Sequence, residues 1–113
     1  MAYSANRYEN MLKEYIIDEQ QDAYSRRNIN YQRYNNLKIF MTPSKVKTPH
    51  VWIRIGISEA CFSLIDSSVI TGSIGQDVRY VVKWLNKPGV KDELGETWIE
   101  ANKAEFGNEN NGA

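Results

Sequence analysis

Near the start of the chain, apolar residues recur at helical spacing. They follow one another at intervals of three and four, so they share one stripe of a helix, and they are Tyr8, Met11, Leu12, Tyr15 and Ile16. Asn6 stands three residues before Glu9, which is the spacing of an N-terminal capping box. The pattern predicts a helix over residues 6–27 that is amphipathic in its first half and polar all round after Asp18.

Residues 26–36 interrupt this periodicity. Four asparagines in this stretch disfavour both helix and strand, so we expect a connector here. Six of the seven tyrosines lie in the first 34 residues, which sets this region apart from the rest. The composition therefore predicts that residues 1–36 form a helical extension, and that the domain after it folds without residues 1–30.

From residue 38 the hydrophobic period changes to two, which is typical of strands. Residues 38–41 form a short strand candidate, and residues 50–57 alternate strictly. One face of the longer strand carries Val51, Ile53, Ile55 and Ile57, and the other carries His50, Trp52, Arg54 and Gly56. We expect the first face to enter the core and the second to meet solvent or a ligand.

Two further short strands are predicted over residues 60–65 and 69–71, with Ala60, Phe62 and Leu64 inward. Helical stripes follow, first at Val78, Val81, Val82 and Leu85, and then at Leu94, Trp98 and Ala101. The spacing of Ser73 and Gln76 suggests a capping box, and Pro88 with Gly89 separates the two helices.

Together these elements predict an α+β fold. It consists of a small antiparallel β-meander of three to four strands packed against two C-terminal helices and preceded by an N-terminal amphipathic helix. The domain is expected over residues 37–106, and the polar tail, residues 107–113, is expected to be disordered.

Composition narrows the functional classes. The formal net charge is zero, so no global field attracts nucleic acid or a membrane. The single cysteine, Cys61, rules out an intrachain disulfide and fits a reducing compartment. The N-terminus has no secretory signal and no apolar run is long enough for a membrane span, so a cytoplasmic location is expected.

Residues 37–103 resemble the bacterial family catalogued as domain of unknown function 4160. The shared features are a short strand, a proline-histidine entry to the next strand, a later glycine, a valine-rich helix with a tryptophan, and a helix with a Leu-Trp pair. Here they are Ile39-Phe40-Met41, Pro49-His50, Gly56, Val81-Val82-Lys83-Trp84 and Leu94 with Trp98. Family members usually carry a second histidine two residues after the first, and this chain has Trp52 there.

The resemblance implies little chemistry. Genes of this family often stand beside another small gene, and such pairs look like toxin–antitoxin or regulatory modules on mobile elements. The leading hypothesis is therefore a non-enzymatic protein-binding module, one component of such a pair, whose partner is another small protein or a second copy of itself. The alternatives are a small RNA-cleaving toxin and a phage-encoded inhibitor of a host defence protein.

Candidate catalytic chemistry is sparse. His50 is the only histidine, and with Arg54 it is the catalytic candidate of the RNA-cleaving hypothesis. Metal sites need several ligands, so neither a metal nor another cofactor is predicted. Cys61 lies in a strand and reads as an inert small apolar residue.

Two residue sets are candidates for binding. The partner-binding set consists of the N-terminal stripe, Trp52 and two acids of the last helix, and its members are Tyr8, Met11, Leu12, Tyr15, Ile16, Trp52, Glu96 and Glu100. The nucleic-acid-binding set interleaves cations with aromatic rings, and its members are Arg26, Arg27, Tyr31, Arg33, Tyr34, Lys45 and Lys47. Because the net charge is zero, nucleic acid is the less favoured partner.

Overall fold

The computed structural model describes residues 3–4, 6–23, 34–42 and 48–111, with side chains at 6–20, 34–42 and 48–104. These residues form a five-stranded antiparallel sheet with helices packed against it, so the predicted α+β fold and its N-terminal helix are confirmed. Strand order follows chain order, as in a meander. A two-residue strand, β1 (Tyr3–Ser4), adds to the predicted strands.

Helix α1 (Asn6–Ala23) begins at the predicted residue. Tyr8, Leu12 and Ile16 are buried, and the helix packs against the first full strand, β2 (Lys38–Met41). Glu9 reaches the same strand, because its Oε2 accepts a hydrogen bond from the Ile39 backbone N–H at 2.9 Å. This bond satisfies a donor on β2 next to the end of β1, and it ties the first turn of the helix to the sheet.

The central strands are β3 (His50–Ile55) and β4 (Ser58–Ser63), followed by β5 (Val69–Ser73). Ile39 pairs with Ile53, and Ile53 pairs with Ala60, so one apolar row crosses three strands. All three side chains are fully buried. The alternation therefore places the predicted face of β3 against the helices as far as Ile55. Ile57, predicted to lie on the same inward face, is instead exposed in the β3–β4 turn, because the strand ends at Ile55.

The C-terminal helices begin and end differently from the prediction. Ser73 closes β5, and its Oγ accepts a hydrogen bond from the Gly75 N–H at 3.3 Å. A 3₁₀ turn (Gly75–Asp77) comes before α2 (Val78–Leu85), and neither begins with a side-chain cap, so the predicted Ser73–Gln76 capping box does not form. Helix α3 (Val90–Asn111) continues past the predicted end at Lys103. Helical backbone thus covers residues 107–111 of the segment predicted to be disordered. No proline follows Pro88, so the backbone meets no strong helix breaker there.

The hydrophobic core is continuous from α1 to α3. Leu12 and Ile16 belong to the same cluster as Phe62 of β4, Trp84 of α2 and Leu94 of α3. Helix α1, which lies within the predicted extension of residues 1–36, therefore shares one hydrophobic core with the sheet domain. The sequence shows that the α1 stripe must be covered, but not that the sheet domain covers it.

Candidate functional site

Strand β5 forms one edge of the sheet. Among the described residues it pairs only with β4, and all five of its residues are exposed. Val69 and Ile70 are 41% and 51% exposed. The strand contains no charged residue and no proline, which are the usual devices that prevent strand addition at an edge. Such an edge is a surface on which another extended chain can pair.

An irregularity in the pairing gives this edge its shape. Val69 pairs with Phe62 and Thr71 pairs with Cys61, so Ile70 is an extra residue on β5. A bulge of this kind increases the local twist and redirects the side chain. Ile65, in the loop before β5, is also exposed. We call Ile65, Val69 and Ile70 the edge cluster. Their exposure is not evident from the sequence pattern, although a strand that ends a meander is expected at an edge.

The face of the sheet opposite the core carries a second candidate surface. We call the face bearing Lys38, Phe40, Trp52, Arg54 and Glu59 the outer face. Phe40 pairs with Trp52 across β2 and β3, and their rings are nearly parallel, with centroids 6.1 Å apart. The guanidinium carbon of Arg54 lies 5.6 Å from the Phe40 ring centroid. Arg54 Nη2 also pairs with Glu59 Oε1 at 3.0 Å.

Cys61 lies on this same face, on β4 next to Trp52. It is buried and stands directly opposite Trp52 in the β3–β4 pairing. Burial raises the pKa of the Cys61 thiol to about 11, so the thiol stays protonated at neutral pH. A neutral, buried thiol is a poor nucleophile. The structure therefore agrees with the interpretation of Cys61 as a small apolar residue.

His50 is buried at the start of β3. Its Nδ1 lies 2.9 Å from the Thr48 carbonyl oxygen, which can only accept, so Nδ1 donates this bond. Trp98 packs against the imidazole edge-on, with ring centroids 6.0 Å apart. The Trp98 Nε1–H is buried and has no hydrogen-bond partner in the described part of the chain.

The two catalytic candidates are not brought together. His50 and Arg54 lie four residues apart on one strand, which separates their Cα atoms by about 13 Å. Arg54 is paired with Glu59, and His50 is packed against Trp98.

The predicted partner-binding stripe on α1 is mostly core. Tyr8, Leu12 and Ile16 are buried inside this chain, so they present no surface to a partner, and their assignment to partner binding is wrong. Met11 is exposed. Tyr15 is half-buried, donates to Glu19 Oε1 at 2.9 Å and has the Lys87 ammonium 5.1 Å from its ring centroid.

The acidic side chains of α3 are available to solvent. Glu96 and Glu100 are both exposed. Glu93, nearer the start of the helix, pairs with Arg7 of α1, with Nη2 and Oε1 3.4 Å apart. Glu96 and Glu100 therefore remain candidates for contact with a basic partner.

Most of the predicted nucleic-acid-binding set lies outside the described residues: Arg26, Arg27, Tyr31, Arg33, Lys45 and Lys47. Tyr34 is described and is buried. Its hydroxyl donates to Asp77 Oδ1 at 2.9 Å, so the ring is part of the core. The prediction that Tyr34 stacks on a base is wrong.

Among residues 3–4, 6–23, 34–42 and 48–111, no group of three or more His, Cys, Asp or Glu side chains could hold a metal ion. No helix in those same ranges is long and apolar enough to cross a membrane. No protein-family model, curated protein or solved structure matches the chain. The resemblance of residues 37–103 to domain of unknown function 4160 therefore stays a prediction.

Proposed function

We propose that this chain is a non-enzymatic protein-binding module, and that its partner adds an extended segment to the free edge of β5. The observation that carries the proposal is that an uncharged strand with every residue exposed ends the sheet. Backbone groups along such an edge can form hydrogen bonds with any extended chain. The side chains beside the edge then determine which partner sequences bind.

The edge cluster favours a partner segment that carries apolar side chains. Ile65, Val69 and Ile70 present apolar surface beside the free backbone groups. Burial of such side chains contributes roughly 25 cal/mol for each Å² removed from water. A partner strand that alternates apolar and polar residues would gain both the backbone bonds and this apolar contact.

The class of partner follows from the resemblance of residues 37–103. If the chain is one component of a two-gene toxin–antitoxin or regulatory pair, the partner is the second small protein of that pair. A second copy of this chain is the other candidate, because the uncharged β5 meets no like-charge repulsion when it pairs with itself.

The RNA-cleaving alternative has less support. His50 is buried and about 13 Å along the strand from Arg54. Arg54 already has Glu59 as its ion-pair partner. General acid–base catalysis needs a group within hydrogen-bond reach of the reacting atoms, and these two residues do not converge on one point.

The test is purification of the tagged chain from its host, with the co-eluting protein identified and its stoichiometry measured. Ile70→Lys places a charge on the edge of β5, whereas Ile57→Lys makes the same change at an exposed residue of the β3–β4 turn. We expect a stoichiometric partner with the wild type and with Ile57→Lys, and its loss with Ile70→Lys. Equal recovery with both variants would contradict the assignment of β5.

A second candidate function is inhibition of a host defence protein, with the acidic surface of α3 as the contact. The exposure of Glu96 and Glu100 supports it. Reversing both charges to lysine would then abolish recovery of a large basic partner, while Ile70→Lys would not. If the paired charge reversal leaves recovery unchanged, this function has no support.

A further inference from the structure

We propose that the outer face binds single-stranded nucleic acid, with a base stacked on Trp52 and backbone phosphates beside Lys38 and Arg54. This surface is separate from the edge cluster, so the inference does not depend on the proposed protein partner. It also uses different residues from the cation–aromatic set predicted from the sequence.

Trp52 is more accessible than the other two tryptophans. Trp84 and Trp98 are 2% and 8% exposed and belong to the core. Trp52 is only half-buried and stands on a central strand of the sheet. Its ring is nearly parallel to that of Phe40, which lies opposite it on β2. A tryptophan held in this way is a preformed stacking surface, and stacking on aromatic rings is how proteins hold unpaired bases.

The neighbours of Trp52 in its cross-strand row are small residues on one side and Phe40 on the other. In the same cross-strand row, the positions beyond Trp52 are Cys61 on β4 and Thr71 on β5. Both side chains are small, whereas Phe40 stands on the other side of Trp52. Because Cys61 is buried beside Trp52 and Thr71 is exposed, a base would stack on the part of the Trp52 ring that remains open to solvent.

The charges beside the rings favour an anion. Lys38 pairs with Arg54 in the next cross-strand row, about 7 Å along the strands from the aromatic row. Both cations are exposed, and Glu59 is the one acid that faces them from the described strands. The Arg54–Glu59 pair is solvent-exposed and therefore weak, so a phosphate can compete for the guanidinium.

The Trp52 ring and the two cations together select the class of ligand. An acidic peptide could engage Lys38 and Arg54 but brings no planar ring to Trp52, and an apolar peptide could cover the rings but not the charges. A single strand carries both groups at short spacing, and in a duplex the bases are already stacked and paired. With only two cations in the described face, the affinity depends mainly on stacking and responds weakly to salt.

The experiment is a titration of the full chain with ten-nucleotide mixed-sequence RNA, the matching DNA and the DNA duplex, followed by tryptophan emission. Because Trp84 and Trp98 are buried, quenching by a stacked base reports on Trp52. We expect quenching by at least one of the single strands, and the comparison of RNA with DNA identifies the sugar. Trp98→Phe should keep the quenching, and Ile70→Lys should bind as the wild type does.

Two variants measure how much the Trp52 ring and the Lys38 charge contribute to binding. Trp52→Ala should weaken binding of a dye-labelled strand by about 5- to 150-fold, the range measured for single base-stacking residues. Lys38→Ala, at an exposed position that leaves the fold intact, should lower the dependence of log K on log salt by about 0.7. The proposal is overturned if neither single strand quenches the emission, if the duplex or polyglutamate binds equally well, or if both variants bind as the wild type does.

Discussion

The hydroxyl of Tyr34 donates a hydrogen bond to Oδ1 of Asp77 at 2.9 Å, and both residues are buried. The same hydroxyl accepts from Gln20 Nε2 at 2.7 Å. Three segments far apart in the chain therefore meet at one oxygen atom: α1, the residues just before β2, and the 3₁₀ turn before α2. The bond fixes the residues just before β2 against the core.

Tyr34→Phe removes this oxygen and keeps the ring. We expect a loss of about 1–3 kcal/mol in the free energy of unfolding, because a buried hydrogen bond to a carboxylate is among the stronger ones. Urea denaturation followed by circular dichroism measures it. Tyr15→Phe is the control, since Tyr15 bonds to Glu19 one turn away at a half-buried position. Equal stability of the two variants would contradict a special role for Tyr34.

The α1 stripe is predicted to be part of the fold. Leu12 is fully buried in the shared core, so Leu12→Ala should lower the free energy of unfolding by about 2–5 kcal/mol. Met11, the next residue along the helix, is exposed, and Met11→Ala should change stability by less than about 0.5 kcal/mol. Similar small effects of both changes in urea titrations would restore the interpretation of α1 as a detachable extension.

Gly72 is required by the close approach of β5 to β4. Its φ is +83°, and a Cβ atom there would lie 2.4 Å from the Glu59 carbonyl oxygen. Gly56 has a φ of +64° and open space around it, so Gly56→Ala should cost only about 1–2 kcal/mol of backbone strain. Gly72→Ala should cost about 1–3 kcal/mol more, because the strands must move apart. Thermal unfolding of both variants tests the difference, and equal melting temperatures would contradict the close approach.

The buried thiol of Cys61 makes both the stability of the fold and its own reactivity depend on pH. Burial raises its thiol pKa from 9.0 to about 11, so the folded state favours the neutral thiol. Its contribution to stability is complete below about pH 9 and is lost as the pH rises through about 11. At pH 8 the thiolate population, and with it the rate of reaction with a disulfide reagent, should be about 100-fold below that of the unfolded chain.

The labelling rate also tests the cover over Cys61. Trp52 is the large residue directly opposite it, so Trp52→Ala should speed the reaction, while Lys38→Ala should not. A rate that is unchanged by Trp52→Ala would show that the thiol is covered by another part of the molecule.

Local periodicity was enough to predict most elements of this fold. The apolar stripe beginning at Tyr8 and the alternation from His50 to Ile55 depend only on neighbours in sequence, and both elements form as expected. The element ends were less predictable, because they depend on tertiary contacts. Ser73 belongs to β5 through its pairing with Glu59, which a capping-box spacing with Gln76 cannot reveal.

The candidate sites depend on long-range order. The exposure of Ile70 follows from the position of β5 at the end of the strand order, and the Phe40–Trp52 pair follows from the register of β2 with β3. The N-terminal stripe could be seen from the sequence, but what covers it could not. His50 and Arg54 share a strand face as predicted, yet the length of the strand separates them.

Hydrogen exchange is the most direct test of strand addition at β5. It is measured by mass spectrometry on the free chain and on the complex that co-purifies with it, or at low and high concentration if the partner is a second copy. We expect slower exchange of amides in residues 66–75 on binding, with residues 50–57 unchanged because both neighbours of β3 are already in place. Unchanged exchange in residues 66–75, with protection appearing on α3 or on the outer face instead, would contradict the assignment of the β5 edge as the protein-binding site.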